Sequence, residues 1–298
     1  MPYFDASPAD LRGFFGLNEV AAPAGAVLVG TLTTSMYGQF VKSLFRHARS
    51  VHERITEVTL NGQRVWFIAV LGAAQAATFA HLAVRLGAGV LVQLGAMGGL
   101  QRGWNVGDVL VPTTVVGRDG VSQQLSRNLP LSVNEALSSS LIDCLGSDIV
   151  IRRGTLVTTT TIAFERRRDI ARWSRAGFAG VEMEAAATLA VGQYFGVPAT
   201  CAFVLHDNLA ASRTAFDLTD ADRDAMFRPK APLARAAARV IVDVSGRLTA
   251  REARTEPEGG RPTSPVRRQR QERATAPEVG VDRRLGSRTD PSAEREDT

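Results

Sequence analysis

Up to about position 248 the apolar residues fall into two rhythms, short continuous runs and stretches spaced by three and four. The runs "AGAVLVG" (24–30), "GVLVQLG" (89–95) and "ATCAFVLHDN" (199–208) lack the alternation of a half-wet sheet and predict strands buried on both faces. In "RITEVTLNGQRVWFIAVLG" (54–72) the pair Asn61-Gly62 separates two β-rich runs and predicts a tight hairpin. "VGDVLVPTTVVG" (106–117) and "DIVIRRGTLVTTTT" (148–161) add further strands. Helical spacing marks "SMYGQFVKSLFRHAR" (35–49), "AATFAHLAVRLGA" (76–88), "LSVNEALSSSLIDCLG" (131–146) and "AFERRRDIARWSRAG" (163–177). It recurs after "GVEME" (180–184) and in "DADRDAMF" (220–227) and "PLARAAARVIVDVSGRL" (232–248). Strands alternating with helices predict an α/β protein whose central sheet is covered on both faces.

Composition changes this picture only at the C-terminus. The net charge is +5 and the pI about 9.8, which invites a nucleic-acid partner. From Ala250 onward, however, the chain has no aromatic residue and few aliphatics, and its arginines are nearly balanced by acids. Such a segment cannot offset its ordering entropy by burial. The expected organisation is a catalytic domain over 1–249 and a disordered charged tail over 250–298. "RRQRQER" in that tail lacks the aromatics of a base-stacking surface, so no specific nucleic acid is expected. Neither a secretory leader nor an apolar run of about 20 residues is visible, and a cytoplasmic protein without membrane contact is expected. Cys144 and Cys201 lie in apolar stretches, as suits a reducing compartment, and the four scattered histidines give no metal spacing.

In open α/β sheets, ligands gather beyond the carboxyl ends of the strands. Topology thus singles out 30–35, 71–78, 95–99, 158–164, 182–184 and 206–209. Two acids in "GVEMEA", Glu182 and Glu184, open a buried Ala-rich helix. They are either first-turn acids welcomed by the helix dipole or carboxylates awaiting a ligand. Taken with "VQLGAMGGLQRGWNVGDVLVP" (92–112) and "VLHDN" (204–208), the motif resembles the nucleoside phosphorylase/nucleosidase family over roughly Ala26 to Leu248. The resemblance implies a three-layer sandwich with a central mixed β-sheet flanked by helices, and cleavage of an N-glycosidic bond. It also implies a homo-oligomer, a small-molecule nucleoside as partner and no organic cofactor, with phosphate as the co-substrate.

By that likeness Glu184 accepts the ribose hydroxyls, Met183 lies against the sugar and Glu182 lines the base and ribose side. Asp207, assisted by Arg223, protonates a purine-type base, and Phe164 stacks on it or packs in the core. The nucleophile region falls on Gly30, Thr34, Gln93 and Ala96. Here the chain departs from the family, whose phosphorylases carry an arginine in the first loop, a second before the Gly-rich turn and a Ser/Thr within it. This chain has the uncharged loop "GTLTTS" (30–35), Gln93 and Ala96. Arg49 or Arg54 offers a shifted match for a third arginine. Anion binding without charge-assisted contacts is weak. Phosphorolysis therefore stands beside two alternatives, hydrolysis of a specialised nucleoside and nucleoside binding without turnover.

Overall fold

The computed structural model describes residues 5–31, 33–126 and 130–255. The apolar runs form strands β1 (Gly25–Gly30), β2 (Ala48–His52), β3 (Ile55–Leu60), β4 (Gln63–Val70), β5 (Leu91–Gly99) and β6 (Val109–Leu110). Strands β7 (Thr114–Arg118), β8 (Leu131–Ser132), β9 (Ile151–Arg152), β10 (Thr155–Thr159), β11 (Gly180–Glu182) and β12 (Ala199–Asn208) follow. The helices are α1 (Pro8–Phe14), α2 (Thr34–Leu44), α3 (Gly72–Arg85), α4 (Ser122–Leu125), α5 (Glu135–Asp143), α6 (Arg167–Arg175), α7 (Ala185–Phe195), α8 (Asp220–Phe227) and α9 (Lys230–Thr255).

One mixed sheet runs in the order β2-β3-β4-β1-β5-β11-β10-β7-β8, and β12 lies parallel to β5 as a branch that continues through β6 to β9. Strand β1 is parallel to β4 and β5, whereas β3 is antiparallel to β2 and β4. Side chains alternate between two cores, as the period of two requires. Ala26, Leu28, Trp66, Ile68, Cys201 and Phe203 pack with α3 and α7 on one face. Val27, Val29, Val65, Phe67, Ala202 and Val204 pack with α5 and α9 on the other. These are the three expected layers. Helix α7 is buried from Ala185 to Gly192, its small side chains allowing close approach to α3, and it ends on Gly196 at φ 68°. Among the described residues no helix is long and apolar enough to cross a membrane, and no group of three acidic, histidine or cysteine residues is placed to hold a metal.

Three sequence expectations shift. The helix expected over 35–49 stops at Leu44, and Ala48 and Arg49 belong to β2. Cross-strand pairing overrides helical spacing there, since Arg49 faces Glu57 on β3 and bonds its carboxylate at 2.8 Å. Residues 95–99, expected as a turn, extend β5 instead. Their glycines let β5 press against its neighbours: a Cβ on Gly95 would lie 3.0 Å from the Phe203 ring, and one on Gly99 2.7 Å from Leu205. The domain boundary expected at 249 falls inside α9, which ends at Thr255, and the rest of the expected tail lies outside the described residues. The hairpin forms as expected, with Asn61 and Gly62 at φ 50° and 75°.

Gly107 ties β12 to the turn before β6. Its N–H donates to the Leu205 carbonyl at 2.9 Å, its φ is +91°, and a Cβ there would come 2.6 Å from the Ala225 carbonyl oxygen. Gly107→Ala is expected to lower stability by roughly 1–3 kcal/mol. A urea titration would read this as a lower midpoint at unchanged slope.

Candidate active site

The sheet divides along β5. Up to Leu94 this strand pairs with β1, whereas Gly98 and Gly99 pair with β11. A crevice therefore opens beyond Gly30, the last residue of β1, and both glutamates stand at it. Glu182 ends β11 and Glu184 is the N-cap of α7.

The two acids do different work. Glu182 Oε2 accepts the N–H of Glu184 at 2.6 Å and of Ala185 at 2.8 Å, while Oε1 accepts the Thr158 hydroxyl. Thr158 Oγ1 in turn accepts from Ala186 N at 3.0 Å. Every oxygen of Glu182 is thus engaged at the start of α7. The structure shows it as a helix-start acid that positions the next turn. Glu184 is 3 % exposed, and its Oε1 accepts the N–H of Gly72 at 2.6 Å from the first turn of α3. Its Oε2 points over Gly30, where a Cβ would lie only 2.7 Å away. Gly30 is needed because a side chain there would displace the carboxylate.

Burial pushes both carboxyls above the usual range, Glu182 to about 8, where the Glu184 charge adds to the loss of solvent. Amide donors at Gly72 and Met183 and the neighbouring Glu182 carboxyl pull Glu184 back down. Like charges in neighbouring buried positions oppose one another, so ionisation of Glu184 raises the Glu182 carboxyl further. Met183, between them, is half-buried.

Across β5 lies Asp207. The pairing of β12 with β5 shifts between Leu205 and Asp207, so that His206 is an inserted bulge residue and Asp207 comes opposite Gly98. A Cβ on Gly98 would sit 3.3 Å from Asp207 Oδ1. Asp207 Oδ2 accepts the Ala215 N–H at 3.1 Å, and burial pushes the carboxyl up to about 6. Arg223 makes no hydrogen bond or ion pair with it. That side chain is 56 % exposed, reaches the Leu218 carbonyl at 3.2 Å and lies 3.7 Å from Asp220 on its own helix. The longer loop from Asn208 to α8 holds α8 by Arg213–Asp222 at 2.6 Å instead. The group that does sense Asp207 is Glu165, pushed up to about 7 by burial and by the Asp207 charge. It follows the turn Ile162–Phe164, one residue beyond the window that topology singled out.

The remaining expected residues scatter. Phe164 is 77 % exposed beside Glu165 and is not a core residue. Gln93 is wholly buried on the α7 face, its Oε1 accepting from Thr188 Oγ1 at 2.7 Å and its Nε2 donating to the Leu94 carbonyl at 2.9 Å. It faces the core and not an anion. Ala96 pairs with Val204 and offers no donor side chain. Thr34 begins α2. Arg49 is consumed by Glu57, whose other oxygen accepts from Trp66 Nε1 at 3.3 Å. Arg54 bonds Gln75 Oε1 at 3.2 Å.

A carboxyl raised by folding stabilises the folded state fully below its unfolded value, and the contribution is lost as pH rises through the folded one. For Glu182 that window runs from 4.5 to about 8. Stability is expected to decline across it, and Glu182→Gln to flatten the decline, in thermal melts recorded at successive pH values.

Comparison with known proteins gives the family and a similar fold. The family model described as the phosphorylase superfamily matches residues 31–243. Among solved structures, the chain is similar to the uridine phosphorylase from Vibrio fischeri ES114, with a TM-score of 0.62 and 16% identity, covering 81% of this chain and 97% of that one. No curated protein sequence gives a significant match. The matched span runs from the loop after β1 into α9 and includes both glutamates, Asp207 and every strand of the sheet except β1, so the chain belongs to the phosphorylase superfamily.

Proposed function

We propose that this enzyme cleaves the N-glycosidic bond of a purine-type nucleoside, with phosphate the favoured acceptor and water the alternative. The observation that carries the reading is the unlike pair of carboxyl environments on either side of the glycine-rich end of β5. Glu184 is fixed from within the protein and set against a cleared glycine, while Asp207 is free to exchange a proton near neutral pH.

Glu184 accepts hydrogen bonds from the ribose hydroxyls, and Met183 rests against the sugar. As the C–N bond breaks, its electron pair moves to the base and positive charge grows on the sugar. Protonated Asp207 delivers its proton to the leaving base, N7 in a purine, and its burial raises the fraction of that acid form. An oxygen of phosphate or water then bonds to C1′, giving ribose 1-phosphate or free ribose. Phosphorolysis follows from family membership. Hydrolysis is favoured by the uncharged first loop and by the inward-facing Gln93. A homo-oligomer is part of the same proposal.

The test is product analysis on purine nucleosides and uridine, with and without phosphate. Uridine belongs in the panel because the similar fold is that of a uridine phosphorylase. Purine release is expected, and binding without any base release would leave a nucleoside-binding protein. Activity should fall as pH rises through 6 to 7, where Asp207 and Glu165 lose their protons. Asp207→Asn should lower kcat/KM by roughly 10²- to 10⁴-fold.

A further inference from the structure

Glu165 is a carboxylate left without a partner where partners are close at hand. Arg166, Arg167 and Arg168 follow it directly, yet all are exposed and none bonds to it. Its own side chain is half-buried and makes no hydrogen bond or ion pair among the described residues. The packing shows where it goes instead. Ile170 and Trp173 of α6 share one apolar cluster with Val157, Val181 and Leu209, and Leu209 begins the turn that follows β12. That cluster draws the start of α6 onto the end of β12, and the charge that Glu165 feels there is that of Asp207.

Asp207 is engaged on one side only by backbone. Its Oδ2 holds the Ala215 N–H at 3.1 Å, while Oδ1 lies toward the glycine end of β5, 3.3 Å from where a Cβ on Gly98 would sit. Each acid also comes with an exposed ring: Phe164 precedes Glu165, and Phe216, 97% exposed, follows Ala215. Two carboxyls to bond an edge and rings to cover a face suit a flat heterocycle. The other charges on the adjoining elements are taken. Asp169 on α6 pairs with Arg172 at 3.3 Å, Arg213 pairs with Asp222, Asp217 holds the Thr214 N–H, and His206 on β12 is neutral.

What such a pair can bond depends on its protons. Asp207 is pushed up to about 6 and Glu165 to about 7, so between those values the pair holds one proton and offers one donor and one acceptor. The edge of a 6-aminopurine presents the complement, N7 as acceptor and the amino group as donor. A 6-oxopurine presents two acceptors, N7 and O6, and meets an unprotonated carboxyl at one of them.

We propose that Glu165 is a specificity-determining residue, which with Asp207 selects 6-aminopurine nucleosides over 6-oxopurine nucleosides. The bound base settles which carboxyl keeps the proton: Asp207, facing N7, holds it, and Glu165 accepts from the amino group. This rests on the reading of the site as one that cleaves a purine-type nucleoside.

The experiment compares kcat/KM of the full chain for adenosine, inosine and purine riboside, which has no substituent at C6, in wild type, Glu165→Ala and Glu165→Gln. Glu165→Ala is expected to cost adenosine roughly ten- to hundredfold and purine riboside no more than about threefold, because the bond lost is the one to the amino group. Glu165→Gln, whose amide can turn its N–H toward O6, should move the adenosine-to-inosine ratio toward inosine by roughly tenfold. In wild type that ratio should climb from about pH 5, where both acids are protonated, to about pH 7, and in Glu165→Gln it should stay flat. The inference is overturned if Glu165→Ala costs the three nucleosides equally, or if Glu165→Gln leaves the ratio where it was. Release of no base from any nucleoside would refute the proposed function instead. Dissociation constants of the same three nucleosides, from equilibrium dialysis, then decide the role of Glu165 by the same ratios.

Discussion

A carboxylate taken out of water must be met by donors, and this molecule has taken two out side by side. Glu182 is met by the first amides of α7 and by Thr158, Glu184 by the first turn of α3. Each anchor requires something of the backbone. Gly72 adopts φ +77° to turn its N–H toward Glu184, and Gly30 gives up its side chain so that the carboxylate can lie above β1. The desolvation cost is offset by charge-assisted hydrogen bonds to helix N-termini. Remove either helix start and a buried charge is left uncompensated, so the placement of α3 and α7 against the sheet and the state of the acids are one problem.

The strand between the two halves of the site is nearly featureless, which is its use. Gly95, Ala96, Gly98 and Gly99 carry β5 from pairing with β1 to pairing with β11 while keeping β12 in register. Glu184 is then disposed on one side and Asp207 on the other, with little between them but backbone. The bulge at His206 turns Asp207 toward that floor, and His206 itself is held neutral, its value pushed down to about 4 by burial and by Lys230.

The strands, the Asn61-Gly62 hairpin and the covered sheet were legible because period and turn chemistry act locally. So was Glu184, through a motif whose spacing is itself a strand end followed by a helix start. What was not legible depends on partners distant in sequence. Strand β2 reads as helix until Glu57 pairs with Arg49. Gln93 looks like a candidate at a strand end until Thr188, 95 residues later, claims its amide. Glu165 hides in "AFERRR" as one charge among four, and only the approach of β12 makes it matter. Where Arg223 points likewise depends on the loop before α8, which holds that helix by Arg213–Asp222 and leaves Arg223 beside Asp220.

The bond between Gln93 and Thr188 also makes the present site hard to undo. At a wholly buried position an arginine would have to be taken out of water, and Thr188 would lose the acceptor it now uses. A single substitution toward the phosphorylase pattern would therefore be removed for its effect on folding before any gain in anion binding was felt. Neutral contact with α7 acts as a ratchet: it closes the way back through β5.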